Sequence, residues 1–406
     1  MVADMEPETP AGRLVPDWTL ARALGPGVVW VSRHSPTVRG LFPNDPGRSD
    51  FMSGNQIPLA GGAPLVACVA AMTPDVLAVL RDAGVPTEAE LHPYRTVSEY
   101  PEVLRRLIAA GFRISSQRRH PESEIPASAS LAPPSLVSDL NDKGRMDRWV
   151  PTEWLPPRRV MDLEELPAAE ELLSEGPVVL KVSTPISCGG GYGVWICREH
   201  ADVERARAAL AGQPRVVAEK HLRLRRTVCV HAIIAPGGAV QLAGTAEEIV
   251  DAAGHWQGNW LDAEGDRVPA AVLDAVRGVM EKASAAGYRG LAGIDVAFPE
   301  DGPPLLLDLN FRINGSAAAA WFRGSLERAR GARVIRCRGF SFDGGFRELL
   351  DRLRPAIDGG SLVPLGLYDP SACEMGGLAR ANVLLVGPSR ESIREEERRL
   401  LSTGLR

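Results

Sequence analysis

The chain has 406 residues, 45% of them hydrophobic and 24% charged, and a net charge of −5. That length allows two or three domains with buried cores. The acidic balance excludes a broad basic surface, so we expect no nucleic-acid partner. The start, MVADMEPETP, has no basic and apolar leader, and no run approaches the roughly 20 apolar residues of a membrane span. We therefore expect a cytoplasmic protein without a membrane partner.

The first third of the chain predicts a strand and helix pattern. Residues 64–72 have the apolar content of a buried strand and lead into Thr73 and Pro74, which suit the N-cap and the first position of a helix. This order predicts an α/β domain with a parallel sheet over residues 1–132. The stretch 121–134 is rich in Ser, Pro and Ala and predicts a linker to the next domain.

The middle of the chain combines a buried lysine with a glycine loop. Lys181 ends the apolar run PVVLK, and a buried ammonium needs an anion, which we expect to be phosphate and no protein carboxylate. Gly189, Gly190 and Gly191 bring backbone N–H groups close to a phosphate chain, because no Cβ stands in the way. A surface lysine and a flexible surface hairpin are the simpler alternatives.

The stretch VVAEKHL follows as the next buried strand. At its end, main-chain N–H and C=O groups of residues 219–222 can bind an adenine edge while Leu222 packs on the ring. This arrangement predicts a nucleotide base site.

The run LLLDLNFR is the most informative stretch. Asp308, Asn310 and Arg312 occupy alternate positions and therefore share one face of a strand. Asp295 lies one predicted hairpin upstream. Carboxylate and amide oxygens are ligands for Mg²⁺, and a guanidinium clamps an anion beside it. Arg289 is a candidate for binding a substrate carboxylate, the alternative being a surface arginine in a turn.

The buried lysine, the glycine loop, the strand end at 219–222 and the two strands with aspartates follow one another along the chain. In this order they resemble the ATP-grasp superfamily over roughly residues 135–320. The resemblance implies an α/β and α+β protein. Its parts are an N-terminal α/β pre-ATP-grasp domain (1–132), a two-subdomain ATP-grasp nucleotide-binding and catalytic domain (133–325), and a small C-terminal domain (326–406).

The resemblance also implies the cofactors ATP and Mg²⁺ and a role for each candidate residue. The implied phosphate contacts are Lys143, Lys181 and the loop residues Gly189, Gly190 and Gly191. The implied adenine pocket is formed by Glu219, Lys220 and Leu222, and the implied metal ligands are Asp295, Asp308 and Asn310. The implied catalytic residues are Arg312, Arg289 and Lys181. The family commonly has Glu where this chain has Asp308. His231 is the candidate for replacing a ribose-binding acid that the sequence lacks, the alternative being a packed strand histidine.

The implied activity is ATP-dependent ligation of a carboxylate and an amine through an acylphosphate, with release of ADP and phosphate. The outer parts are similar to pheganomycin-type peptide ligases, which implies an amino-acid carboxylate, an amine or peptide acceptor, and a role in antibiotic biosynthesis. A nucleotide-binding regulatory protein and a small-molecule kinase are the alternatives. The sequence leaves the oligomeric state open, with a homodimer as one option.

Overall fold

The computed structural model describes residues 12–38, 47–184, 190–263 and 267–406. Within these ranges the strands form three sheets, of four, eight and four strands. No helix in them is long and apolar enough to cross a membrane.

The described N-terminal part is a parallel α/β domain, as predicted. Its strands are β1 (Val28–Val31), β2 (Pro64–Cys68), β3 (Glu90–Tyr94) and β4 (Arg113–Ser116). Their order is β3-β2-β1-β4, with every pair parallel. The helices are α1 (Leu20–Leu24), α2 (Arg48–Met52), α3 (Pro74–Asp82) and α4 (Glu99–Ala109). The start of α3 is confirmed, since the Thr73 hydroxyl accepts a hydrogen bond from the Val76 N–H at 3.2 Å.

The predicted linker packs against the N-terminal domain. Ile125 is buried, and the Glu124 carboxylate accepts hydrogen bonds from Ser35 and Thr37 at 2.8 and 2.9 Å. These contacts tie the stretch to the loop after β1.

The segment around Lys143 is not one continuous helix. Helix α5 (Pro134–Asn141) ends first, and a separate helical turn, Lys143–Arg148, follows it. The break falls at Asp142, whose carboxylate accepts from the Gly144 N–H at 2.9 Å and caps the new turn.

The small antiparallel sheet follows. Its strands are β5 (Arg158–Asp162), β6 (Val178–Ser183), β7 (Val194–Cys197) and β8 (Arg215–Lys220), in the order β5-β8-β6-β7. Helices α6 (Ala169–Leu172) and α7 (His200–Leu210) belong to it. Lys181 on β6 pairs with Val217 on β8, so Glu219, two residues along, shares its face.

The large sheet carries the aspartates. Its strands are β9 (Leu224–Ile234), β10 (Val240–Val250), β11 (Trp256–Leu261), β12 (Gly290–Pro299), β13 (Leu305–Asn310), β14 (Val334–Phe342), β15 (Leu362–Tyr368) and β16 (Ala379–Gly387). Among the described residues their order is β13-β12-β9-β10-β11-β14-β16-β15. The accompanying helices are α8 (Ala270–Ala285), α9 (Ala317–Arg330), α10 (Phe346–Asp358) and α11 (Arg390–Leu401).

The predicted small C-terminal domain, 326–406, is not a separate sheet. β14 pairs with β11, so the three C-terminal strands extend the sheet that contains Asp295. The physical reason is that the edge of β11 pairs with β14, and one hydrophobic core continues across the junction. That core includes Trp260, Phe340 and Leu384 together with Leu65 of the N-terminal domain.

Candidate functional site

The three sheets surround one cleft of about 960 Å³. The chain segments that follow β1 and β4 form one wall, β6 and the glycine loop form another, and β9 to β13 form the floor. A cleft of this size suits a nucleotide-sized ligand. The predicted site residues that line it are Lys143, Lys181, Gly190, Gly191, Asp295, Asp308, Asn310 and Arg312.

The paired aspartates lie on neighbouring strands. Asp295 on β12 is directly opposite Asp308 on β13. Asn310 donates from Nδ2 to Asp295 Oδ2 at 2.8 Å, which leaves its own Oδ1 available as a ligand. Asp295 Oδ1 is buried and has no hydrogen-bond partner. An orphaned carboxylate oxygen beside a second carboxylate and an amide oxygen fits the ligand preference of Mg²⁺.

The electrostatics of the two aspartates differ. Burial, and then the neighbouring Asp308, raise the pKa of Asp295 to about 6. Burial also opposes the ionisation of Asp308, but its ion pair with Lys143 and the field of Arg312 hold its pKa below the ordinary value. A cation that contacts both groups would therefore favour the deprotonated form of Asp295.

Lys181 has protein partners inside the cleft. Its Nζ lies 2.6 Å from Glu219 Oε2 and donates to the Leu307 carbonyl at 3.1 Å. The Lys181 and Glu219 side chains are 8% and 3% exposed, and Arg158 lies 3.7 Å from the other Glu219 oxygen. The expectation that this ammonium meets no protein carboxylate is therefore wrong. Lys143 and Lys181 are two of only four lysines in the chain.

Arg312 is oriented by the end of α5. Its guanidinium donates to Asn141 Oδ1 at 3.4 Å, and the same oxygen accepts from the Phe311 N–H at 3.0 Å. These contacts hold the backbone and the side chain after β13 in one position, with Arg312 lining the cleft.

The glycine loop is seated against the turn between β10 and β11. Gly191 has a φ of 82°, and a Cβ added to it would overlap with the Gly254 carbonyl oxygen. The Gly190 carbonyl accepts from the Trp256 N–H at 3.3 Å. Glycine is therefore required at 191 for this close approach. Gly189, the remaining glycine of the predicted set, lies outside the described residues.

The predicted adenine residues occupy the end of β8. The Glu219 carboxylate faces Lys181, Lys220 is exposed, and the Lys220 N–H donates to the Pro157 carbonyl at 3.0 Å. Glu219, Lys220 and Leu222 are not among the described residues that line the cleft. Their adenine role stays a prediction.

His231 is buried behind the cleft wall and is not itself one of the described residues that line the cleft. It is 3% exposed, and its Nε2 is 3.0 Å from the Ser316 hydroxyl. Burial lowers its pKa to about 4. This position does not support a role in ribose binding and matches the packed alternative.

Arg289 is also placed elsewhere. Its guanidinium donates to the carbonyls of Ser284, Tyr288 and Pro236 at 2.9, 2.6 and 3.2 Å, so it caps the carboxyl end of α8. It precedes Asp295 by six residues of largely extended chain, about 20 Å along β12. The structure does not bring Arg289 to the cleft.

Glu248 is a cleft residue that the sequence did not identify. It lies on β10 opposite Asn259 of β11, and both side chains line the cleft. Burial, and then Asp295 and Asp308, raise the pKa of Glu248 well above its ordinary value. Its neighbour Glu247 faces the other side of the sheet and binds Arg390 at 2.6 Å. Because side chains alternate along a strand, the sequence predicts that one of these two glutamates faces the cleft. It does not show which one.

Two arginines of the N-terminal domain complete the wall. Arg33 follows β1 and Arg118 follows β4, at the carboxyl ends of adjacent parallel strands where the strand order reverses, a common ligand position in α/β sheets. Arg33 is held by Asp50 at 2.8 Å. A basic residue two positions after the end of a strand was the available sequence signal.

Comparison with known families gives two matches. Residues 156–310 match the model of the L-aspartate--L-methionine ligase ATP-grasp domain. Residues 19–138 match the model of the L-aspartate--L-methionine ligase N-terminal domain. Together the matches span about two thirds of the chain and include Lys181, Asp295, Asp308 and Asn310.

Comparison with solved structures shows a similar fold over most of the chain. An ADP complex of N5-carboxyaminoimidazole ribonucleotide synthetase has a TM-score of 0.59 at 14% identity, covering 96% of this chain and 97% of that one. An N5-carboxyaminoimidazole synthetase from Staphylococcus aureus complexed with ADP has a TM-score of 0.57 at 9% identity, covering 95% of this chain and 99% of that one. An L-amino acid ligase from Bacillus licheniformis has a TM-score of 0.54 at 14% identity, covering 93% of this chain and 97% of that one.

Proposed function

Because the chain belongs to the ATP-grasp carboxylate-amine ligases, we propose that it joins a carboxylate of L-aspartate to the amino group of L-methionine with ATP as the energy source. The choice of these two amino acids rests on the matched family models. The observation that carries the chemistry is the single cleft lined by Lys143, Lys181, the aspartate pair and Arg312.

The proposed reaction has two steps. A carboxylate is a poor acyl donor, so an oxygen of the aspartate carboxylate first takes the γ-phosphoryl group of ATP, giving an acylphosphate and ADP. The neutral amino group of methionine then attacks the acyl carbon. The C–N bond forms, the bond from carbon to the phosphorylated oxygen breaks, orthophosphate leaves, and the amine nitrogen loses its extra proton to solvent or a base.

The described residues divide this work. Lys143, Lys181 and Arg312 supply positive charge where charge develops on the transferred phosphoryl group. The loop at Gly190 and Gly191 covers the cleft and excludes water, which would otherwise hydrolyse the acylphosphate. In this proposal Asp295, Asp308 and Asn310 hold Mg²⁺, which neutralises phosphate charge when bound.

The wall from the N-terminal domain suits the amino-acid substrates. Arg33 and Arg118 both line the cleft, and guanidinium groups bind carboxylates. The acceptor has a carboxylate that must stay unactivated, and an arginine wall away from the aspartate pair would bind it. A cytoplasmic location, where ATP is available, completes the proposal.

The products test the proposal. ADP and orthophosphate should appear only when L-aspartate and L-methionine are both present, and hydroxylamine in place of methionine should trap the acylphosphate as a hydroxamate. AMP and pyrophosphate as the main products would refute the acylphosphate route. ADP release with a phosphorylated hydroxyl product and no amide would identify the kinase alternative, and nucleotide binding without turnover would identify the regulatory one. The role in antibiotic biosynthesis stays a prediction.

A further inference from the structure

Glu248 and Asn259 form a polar pair that the proposed steps do not use. Asn259 is 1% exposed, lines the cleft, and its Nδ2 has no hydrogen-bond partner. The Trp256 indole N–H donates to Asn259 Oδ1 at 2.8 Å. Because an indole N–H is only a donor, it fixes Oδ1 as the acceptor and turns the free Nδ2 the other way. A buried, oriented and unused donor indicates a ligand.

Glu248 is the acceptor beside this donor. It is directly opposite Asn259 in the ladder, so the two side chains share a face and lie close together. Within the described residues, no Lys, Arg or His forms an ion pair with Glu248, whereas Lys143 pairs with Asp308. A carboxylate in such a cleft needs a cationic partner, and a substrate would provide one.

The pair lies in line with the aspartates. Asp295 is opposite Cys229 on β9, and Cys229 is opposite Ala246 on β10, two residues before Glu248. Asp295 and Glu248 therefore share one face of the sheet, about 12 Å apart at Cα. Both residues line the cleft, so one substrate molecule can reach both side chains.

Glu248 does not belong to the metal site. Among the described residues, no three His, Cys, Asp or Glu side chains are grouped so that they could hold one metal ion. Glu248 is therefore not a third carboxylate ligand of the ion proposed at the aspartate pair, and it remains available to a cationic group of a substrate.

We infer that Glu248 binds the α-ammonium group of the acyl-donor amino acid, with Asn259 Nδ2 donating to an oxygen of the same molecule. This inference rests on the proposed function. It makes the donor a free α-amino acid and excludes des-amino and N-acylated acids. A carboxylate partner keeps an amine protonated, so the donor's own amino group cannot act as the nucleophile and self-condensation is suppressed.

Substrate discrimination tests the inference without any mutation. With Mg²⁺, ATP and L-methionine held constant, kcat/KM from ADP release is compared for L-aspartate, succinate and N-acetyl-L-aspartate. A site that binds the ammonium should favour aspartate over succinate, which differs only in lacking the amino group, by at least about 100-fold. Equal use of the two acids would overturn the inference while leaving the proposed ligase reaction intact. No ADP release with any acid would instead overturn the proposed function, and the inference with it.

The variant Glu248→Gln tests whether Glu248 is the residue that discriminates aspartate from succinate. The ratio of kcat/KM for aspartate to that for succinate should fall to below about tenfold, through loss on aspartate alone. Asn259→Ala should raise the KM for aspartate with a smaller effect on kcat. Glu247→Gln, a charge change on the opposite face of the same strand, should leave the ratio unchanged. Equal loss for both acids in Glu248→Gln would show that Glu248 acts on the nucleotide or the metal, and would refute the inference.

Discussion

The ion pair between Lys181 and Glu219 makes a quantitative prediction about stability. Both side chains are nearly fully buried and their charged atoms are 2.6 Å apart. Removing one partner of a buried pair typically costs about 3–5 kcal/mol, because the other charge is left uncompensated. Arg158 remains 3.7 Å from Glu219 in a Lys181 variant. We therefore expect the lower end, about 3 kcal/mol, for Lys181→Met, which keeps an apolar stem of similar length.

A double-mutant cycle separates the pair from its surroundings. At about 2.1 cal/mol/K per residue, the unfolding entropy of this chain is about 0.85 kcal/mol/K, so Lys181→Met should lower Tm by about 3–4 °C. Glu219→Gln should cost at least as much, because it leaves both Lys181 and Arg158 without their carboxylate. The double variant should be more stable than the two single losses predict, with a coupling of at least about 1 kcal/mol.

Urea unfolding of the metal-free and nucleotide-free protein measures all four species. The matched control is Lys282→Met, because Lys282 is an exposed lysine of α8 whose ammonium donates to the Arg148 carbonyl and meets no carboxylate among the described residues. A Lys181→Met protein within about 0.5 kcal/mol of the wild type, the range of ordinary surface substitutions, would show that the ion pair does not stabilise the fold.

Three further predictions follow from the site. Asp308→Asn should weaken Mg²⁺·ATP binding by at least about tenfold, and calorimetry with EDTA should show little change for ATP alone. Gly191→Ala should slow ADP release with little change in Tm, because the added Cβ would overlap with the Gly254 carbonyl oxygen and displace the loop. As a control, Gly237→Ala should have no effect, because its Cβ would contact nothing within 4 Å. Burial lowers the pKa of His231 to about 4, so the unfolded chain binds more protons between about pH 6.5 and 4 and stability falls with acidification. His231→Gln should remove up to about 3 kcal/mol of that loss, and exposed His200→Gln should not.

Local patterns predicted the parts of the site that lie on single strands. Asp308, Asn310 and Arg312 share a face because strands alternate, and all three line the cleft. Asp295 was found because a short hairpin joins its strand to theirs. The start of α3 was also predictable, since capping depends on a few neighbouring residues.

The errors arose from long-range contacts. Lys181 meets Glu219, 38 positions later in the chain, because β6 pairs with β8, and no local pattern shows this contact. Arg289 follows a helix whose last carbonyls it binds, a contact that competes with any role in the cleft. Glu248 and Glu247 are chemically identical neighbours, and only the pairing of β10 decides which one faces the cleft.

Because the chain has few lysines, the two in the cleft can be followed by chemical modification. The chain has 46 basic residues and only four lysines, two of which, Lys143 and Lys181, line the cleft, while Lys220 and Lys282 are exposed. Guanidinium groups resist the acylating reagents that attack amines. Mass spectrometry of lysine acylation therefore needs to follow only four side chains. The two exposed lysines serve as an internal standard, and protection of the other two reports occupancy of the cleft.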